Sequence, residues 1–196
     1  MTDVRTFIAI ILPEIMLRSL NEQIDLVKEQ VPSGAIRWVR PETIHLTLKF
    51  LGNVAPTRLS AVKASTEEVA TGHSPFAFAV SSFGCFPNFR RPRTLWLGVQ
   101  DPLNRLSSIH FDLEEAFSRL GFSKEGRAFH PHLTLGRVKR HVRGEVARTL
   151  SEGLEQVKIG DLGRVEAREI CVMRSDLLPS GAVHTQLFSA PLKGTA

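Results

Sequence analysis

Apolar and polar positions alternate along the chain with two different periods, and the switches between them predict its elements. Residues 4–12 form an apolar, β-branched run closed by Pro13, which predicts a buried strand. Leu17, Leu20, Ile24, Val27 and Val31 then step by three and four, the spacing of an amphipathic helix, and Pro32-Ser33-Gly34 ends it. The stretches 36–39 ("IRWV") and 44–52 ("IHLTLKFLG") return to strand character. Pro56 opens a second helix with Leu59, Val62 and Val69 on its apolar face. Strands are predicted at 76–86 and 94–99, on either side of the loop "PNFRRPR". Leu103, Leu106, Ile109, Leu113, Phe117 and Leu120 mark a third helix, and Gly121 sits where a C-cap glycine belongs. Residues 130–138 ("HPHLTLGRV") read as another strand, and Val146, Leu150, Leu154 and Val157 as a fourth helix. Two closing strands follow near 164–173 and 183–189. The expected class is α+β, with short connections and no linker that divides the chain.

One tetrapeptide occurs twice in this alternation. "HLTL" stands at 45–48 and again at 132–135. Side chains on a strand point to opposite faces in turn. In the first copy, strict alternation places Ile44, Leu46, Leu48 and Phe50 in a core and His45, Thr47 and Lys49 on the other face. In the second, Leu133 and Leu135 face the core while His132 and Thr134 share the opposite side. Each copy thus sets an imidazole beside a hydroxyl, ~7 Å apart along its strand. One His-x-Thr is an ordinary coincidence, but two copies on apolar-alternating strands point to a shared site. Metal binding is the weaker functional reading, because no Asp, Glu or Cys stands at ligand spacing beside either histidine.

Composition narrows the setting. The chain has 196 residues, enough for a single domain of two lobes over 1–196, each contributing one motif strand (44–51 and 131–137). No apolar run reaches the ~20 residues of a membrane helix, and "FIAIIL" is too short for a signal peptide. Cys85 and Cys171 stand alone, without metal spacing or a disulfide framework, so a cytoplasmic protein is expected. The net charge of +5 and a pI near 9.7 favour an anionic partner, nucleic acid above all. Arg90, Arg91 and Arg93 lie in a loop with Phe86 and Phe89, and Arg137, Lys139, Arg140 and Arg143 follow the second motif. Arginine beside aromatic rings suits single-stranded RNA. His73, His110, His130, His141 and His184 lack the motif context and read as surface or structural residues.

Two imidazoles and two hydroxyls suit in-line phosphoryl transfer. One histidine can accept a proton from the nucleophile while the other donates one to the leaving oxygen. These groups must flank the phosphorus from opposite sides, which two strands from facing lobes can do and one cannot. Thr47 and Thr134 would hold the non-bridging oxygens. Arg137 would add a bidentate phosphate contact. Strict alternation turns it to the leucine side, so that role needs the strand to bulge or to end at Gly136. No metal or other cofactor is called for.

The chain resembles the RNA 2′,3′-cyclic phosphodiesterases, also called 2′-5′ RNA ligases, of the 2H phosphoesterase superfamily. The likeness runs through "RTFIAIILP", "RWVRPETIHLTLKFLGNV", "FGCFPNFRRPRTLWLGV", "FHPHLTLGRV" and "VMRSDLLPSGAVHTQL". It implies a bilobal α+β fold, two antiparallel sheets with flanking helices, related by pseudo-twofold symmetry about a cleft. It implies metal-independent hydrolysis of 2′,3′-cyclic phosphate ends of RNA, or of small cyclic nucleotides, to 2′-phosphomonoesters, with reverse 2′-5′ ligation. It assigns His45 as proton donor and His132 as proton acceptor, roles that the near-symmetric residues themselves leave open. A monomer is expected. The alternative is a module that binds RNA ends or phosphate without turnover.

Overall fold

The computed structural model describes residues 2–179 and 181–195. Its elements are β1 (Val4–Ile11), α1 (Glu14–Glu29), β2 (Ile36–Trp38), β3 (His45–Val54), α2 (Leu59–Thr71), β4 (Phe76–Phe86), β5 (Thr94–Gln100) and α3 (Arg105–Arg119). They continue with β6 (His132–Val138), α4 (Gly144–Gln156), β7 (Arg164–Ala167), β8 (Glu169–Leu178) and β9 (Gly181–Pro191). Short 3-10 turns at Pro41–Thr43 and Pro56–Arg58 precede β3 and α2, each with proline at its start. Among the described residues no helix is long and apolar enough to cross a membrane.

All the strands pair antiparallel in one sheet of order β7-β4-β5-β6-β3-β1-β8-β9, with β2 also on β6. The two expected antiparallel sheets are therefore two halves, β7-β4-β5-β6 and β3-β1-β8-β9, joined edge to edge. The join between β3 and β6 is one residue pair, Leu46 with Leu133. The apolar faces of the helices (Leu20, Ile24, Val62, Leu106, Leu113, Phe117, Leu150 and Leu154) close one core against Ile8, Ile10, Leu46, Leu48, Leu97, Leu133 and Leu135 of the sheet.

The order of elements repeats. The series β1-α1-β3-α2-β4 is matched by β5-α3-β6-α4-β8, and each series ends in a strand that joins the other half. β4 pairs with β5, and β8 pairs with β1. This exchange explains why residues 164–173 form two strands rather than the one expected. The chain crosses from one half to the other at Arg168: β7 adds to β4, and β8 starts on β1. The buried positions shift from Val165 and Ala167 to Ile170 and Val172 across that break. Leu103 lies before α3 and is exposed, as is Val146 in the first turn of α4, so neither belongs to the apolar faces predicted for them.

A second difference sits inside the motif strands. On β1, Ile8 pairs with Lys49 and Ala9 with Thr47, so Leu48 has no partner. On β5, Leu95 pairs with Gly136 and Trp96 with Thr134, so Leu135 has none. Each copy of HLTL thus carries a β-bulge at its last leucine, and beyond a bulge the facing of every residue reverses. Lys49 turns to the helix side instead of joining His45 and Thr47. Phe50 turns to the cleft side, where it is 62% exposed.

Lys49 is buried with a purpose. Its Nζ meets the Glu114 carboxylate of α3 at 2.7 Å, with side-chain exposures of 2% and 9%, and also donates to the Ser123 carbonyl at 3.1 Å. The Glu125 backbone N–H donates to the same carboxylate at 3.0 Å. One turn earlier, His110 Nδ1 bonds the Leu48 carbonyl at 2.8 Å, and its ring stacks on Phe129 at 4.2 Å. Helix α3 thereby ties the bulge of the first motif to the segment that leads into the second. Removing one member of a buried pair strands the other charge. Lys49→Met should therefore lose about 3–5 kcal/mol of stability, and Lys49→Met with Glu114→Leu should recover most of it. Urea melts of the single and double variants check this; equal losses in both would mean that the pairing of charges contributes nothing.

Candidate active site

With β3 and β6 antiparallel and Leu46 opposite Leu133, the flanking positions on the other face follow. His45 lies beside Thr134, and Thr47 beside His132. The two imidazoles occupy one diagonal of this square and the two hydroxyls the other. An undistorted ladder separates such diagonal positions by about 7–8 Å. All four residues are half-buried at the bottom of an open cleft. Among the described residues neither threonine hydroxyl has a hydrogen bond to protein, whereas Thr43 and Thr66 use theirs on the backbone.

Both imidazoles are held in the same way. His45 Nδ1 bonds the Thr43 carbonyl at 2.8 Å, and His132 Nδ1 bonds the His130 carbonyl at 2.7 Å. A carbonyl only accepts, so each Nδ1 carries the proton and each neutral ring turns an unprotonated Nε2 to the cleft. The Thr43 carbonyl ends the 3-10 turn that Pro41 opens before β3, and the His130 carbonyl precedes Pro131, the last residue before β6.

Each ring has an aromatic wall. His45 leans on Phe7 at 4.7 Å between centroids and meets His184 edge-on at 5.0 Å. Phe7 continues into a small apolar cluster with Ala9, Cys171 and Met173, the floor of that half of the cleft. His132 meets Phe86 edge-on at 5.1 Å and Trp96 at 6.4 Å. The Trp96 indole lies across Gly84, where a Cβ would meet its Cε2 at 2.9 Å, so only glycine admits the ring there. These walls keep water from the imidazoles. Burial above all, with the nearby His184 and His132 adding to it and the Thr43 carbonyl opposing it, lowers the pKa of His45 to about 4. Burial also lowers that of His132, with Arg137 and His130 adding to it. Both rings are therefore neutral at rest near pH 7.

The bulge at Leu135 brings Arg137 back to the face of His132 and Thr134, the condition that its phosphate role required. The basic loop is less simple than expected. Phe86 stands against His132, but Phe89 packs on the main core, and Arg90, Arg91 and Arg93 are exposed. Among the other histidines, His73 pairs with Asp112 at 2.8 Å and His110 braces β3, as structural residues do. His184 does not fit its surface reading. It lies in the cleft against His45, brought there from β9 by its pairing with Ser175 of β8. No local pattern announces it, because the pairing crosses both halves of the chain. Phe7, Phe50 and Trp96 were missed for the same reason: strand periodicity calls all three core. Among the described residues no three His, Cys, Asp or Glu side chains converge to hold a metal ion. Cys85 and Cys171 are buried free thiols, pushed up by burial to about 11 and about 12 and so unreactive at neutral pH.

Known proteins resemble the chain over nearly its whole length. The family model for LigT-like phosphoesterases matches the chain twice, at residues 12–96 and 97–184. These are nearly the two structural repeats. The RNA 2′,3′-cyclic phosphodiesterase of Methanothermobacter thermautotrophicus is 33% identical over 187 residues, covering 94% of this chain and 96% of that protein. The protein of the same name from Thermotoga maritima is 32% identical over 190 residues, covering 97% of this chain and 96% of its own. Among solved structures, TT0787 of Thermus thermophilus superposes with a TM-score of 0.81 at 26% identity, over 98% of this chain and all, 100%, of that one. Escherichia coli LigT, solved with 3′-AMP, superposes with a TM-score of 0.75 at 24% identity, over 97% and 98% of the two chains.

The lowered pKa values have a sign that can be measured. An unfolded chain takes up protons on these histidines near 6.5, while the folded protein resists until about 4 at His45. Stability contributed by the two neutral rings is complete above 6.5 and is lost as pH falls from 6.5 towards 4. Histidine resonances followed by NMR should show His45 titrating near 4 and His132 below 6.5. A midpoint at or above 6.5 for either would contradict the desolvated site.

Proposed function

Because the chain belongs to the LigT-like phosphoesterase family, we propose that it hydrolyses 2′,3′-cyclic phosphate ends of RNA, or small cyclic nucleotides, to 2′-phosphomonoesters by two-histidine acid–base catalysis. The observation that carries this reading is the antiparallel square of His45, Thr134, Thr47 and His132 around a local twofold axis at Leu46 and Leu133. A phosphodiester centred on that axis has an imidazole Nε2 on each side and a hydroxyl at each remaining corner.

The steps follow from that placement. His132 Nε2 takes a proton from water as its oxygen attacks phosphorus, and the bond from phosphorus to the ribose 3′-oxygen breaks on the far side. His45 gives its proton to that oxygen. Thr47 and Thr134 donate to the non-bridging oxygens, and Arg137 balances the charge that builds on them. The reaction needs one proton on the pair. His45 and His132 each disfavour a second, and the bound phosphate anion favours the first. The same groups in reverse would join a cyclic phosphate to a 5′-hydroxyl, but water at ~55 M outcompetes a dilute hydroxyl unless the second RNA end is held. In this reading the protein acts in the cytoplasm, and it acts as a monomer because the square is complete within one chain.

Three outcomes test it. The pH profile of kcat/KM should be a bell centred below 6.5, because both free-enzyme pKa values are lowered. His45→Ala and His132→Ala should each lose about 10²–10⁴ in kcat on a nucleoside 2′,3′-cyclic phosphate in EDTA. A bell fits either assignment of acid and base, so the roles need a separate test. An activated diester with a nitrophenolate leaving group needs no proton on departure, and it should restore rate to His45→Ala and not to His132→Ala. Rescue of the other variant would reverse the roles; a 3′-phosphate product would overturn the direction of attack.

A further inference from the structure

The two halves of the cleft are related by the motif strands, but they are not equal. The bulges make Phe50 and Arg137 equivalent, each the second residue past an unpaired leucine and each facing the cleft. The strand beside Phe50 offers Phe7, and the strand beside Arg137 offers Thr94. One half is thus aromatic where the other is cationic.

The cationic half extends further. The short strand β2 lies on the same edge of β6 as β3, past the Leu46–Leu133 pair, with Arg37 directly opposite Arg137. Residues paired in this way share a face, so two cationic side chains leave adjacent points of the sheet, and like charges directly opposite cost stability in the absence of an anion. The ladder continues with Lys139, whose backbone N–H donates to the Ala35 carbonyl at 2.9 Å, and whose side chain alternation returns to the cleft face. Arg37 and Arg137 are exposed, Lys139 is half-buried, and among the described residues none of the three has a salt bridge to Asp or Glu. Nearby, Arg40 meets Glu42, whereas Arg93, Arg140 and Arg143 have, among the described residues, no salt bridge either.

We propose that Arg37 and Lys139, beyond Arg137, form a backbone track that binds the phosphate of the nucleotide preceding the cyclic end, so that an RNA strand is held more tightly than a mononucleotide. The track begins where the catalytic square stops. Along β6 the cleft face carries His132, Thr134 and Arg137 in order, Lys139 follows directly after the strand's last residue, and each strand residue advances ~3.3 Å. Beyond a terminal phosphate between the two histidines, a neighbouring phosphate finds cations only on the side of Arg137 and Arg37, since the other side has Phe50 at the equivalent position and Phe7 beside it. A mononucleotide has no second phosphate to place there. Arginine forks suit non-bridging phosphate oxygens, and Lys139 adds a point charge. The positions are fixed by sheet register, not by a loop, so the spacing is built into the fold.

This inference rests on the proposed phosphodiesterase reading, and the test separates the two. The variant is Arg37→Gln with Lys139→Gln, both outside the catalytic square. KM is measured for a trinucleotide ending in a 2′,3′-cyclic phosphate and for a nucleoside 2′,3′-cyclic phosphate. Binding of a 2′-phosphorylated trinucleotide and of a nucleoside 2′-phosphate is measured in parallel, which needs no turnover. The variant should raise KM and Kd for the trinucleotides on the order of tenfold at low salt and leave both mononucleotides within twofold. The slope of log Kd against log salt should shrink by roughly 1.4 for two lost contacts on a single strand. An equal change for mononucleotide and trinucleotide, or none for either, overturns the track while leaving the phosphodiesterase reading intact. Absence of turnover with length-selective binding that the variant abolishes would uphold the track and remove the catalytic reading.

Discussion

The cleft depends on one backbone pairing. Among the described residues, Leu46 and Leu133 are the only pair that joins β3 to β6, and so one half of the sheet to the other. Their leucines fill the core, and the next residue on either side of each carries the chemistry. A longer ladder would flatten the halves into one surface and close the space between the motifs. A missing ladder would let the histidines drift. The bulges at Leu48 and Leu135 follow immediately on both strands, increase their twist, and bend them apart. One pair of residues thus fixes the register of four side chains, and two bulges make the room that a phosphate needs.

The bulges also distribute labour between the faces. Once Lys49 is turned inward, it can join Glu114 and hold α3 against β3. Once Arg137 is turned outward, it can face an anion. The same backbone irregularity therefore builds a brace in one half and a cation in the other. The difference comes from the side chain that follows the unpaired leucine: Lys49 in the first copy, Gly136 in the second. Gly136 leaves no side chain on the crowded core face, where a Cβ would meet Ile36 at 2.7 Å.

Much of this could be read in the chain, and what could not has a common cause. The helices α1 to α4 and most strands follow from spacing and from Pro and Gly, because amphipathic periodicity is local. His45, Thr47, His132 and Thr134 were visible because a repeated motif on alternating strands is itself a local signal. Lys49 and Phe50 were misplaced because a bulge is created by a ladder, and the partner strand is not in the motif. Arg137 was conditional on such a bulge for the same reason. His184 reaches His45 only through β8 and β9, and the split at Arg168 appears only when two sheet edges compete for one stretch of chain. Local pattern determines what each residue is suited to; non-local pairing decides which of them meet.

The exchange of β4 and β8 has a consequence in time. β4 and β5 are consecutive and pair locally, but Thr6, near the start of the chain, waits for Arg174 before β1 has its outer neighbour. Such separations make contact order high and closure slow. Until β8 is in place, β1 presents an open apolar edge, the kind of surface that recruits other chains. The cleft is consequently among the last parts of the molecule to become native, and a chain that stops short of Glu169 has the motifs without the frame that aligns them.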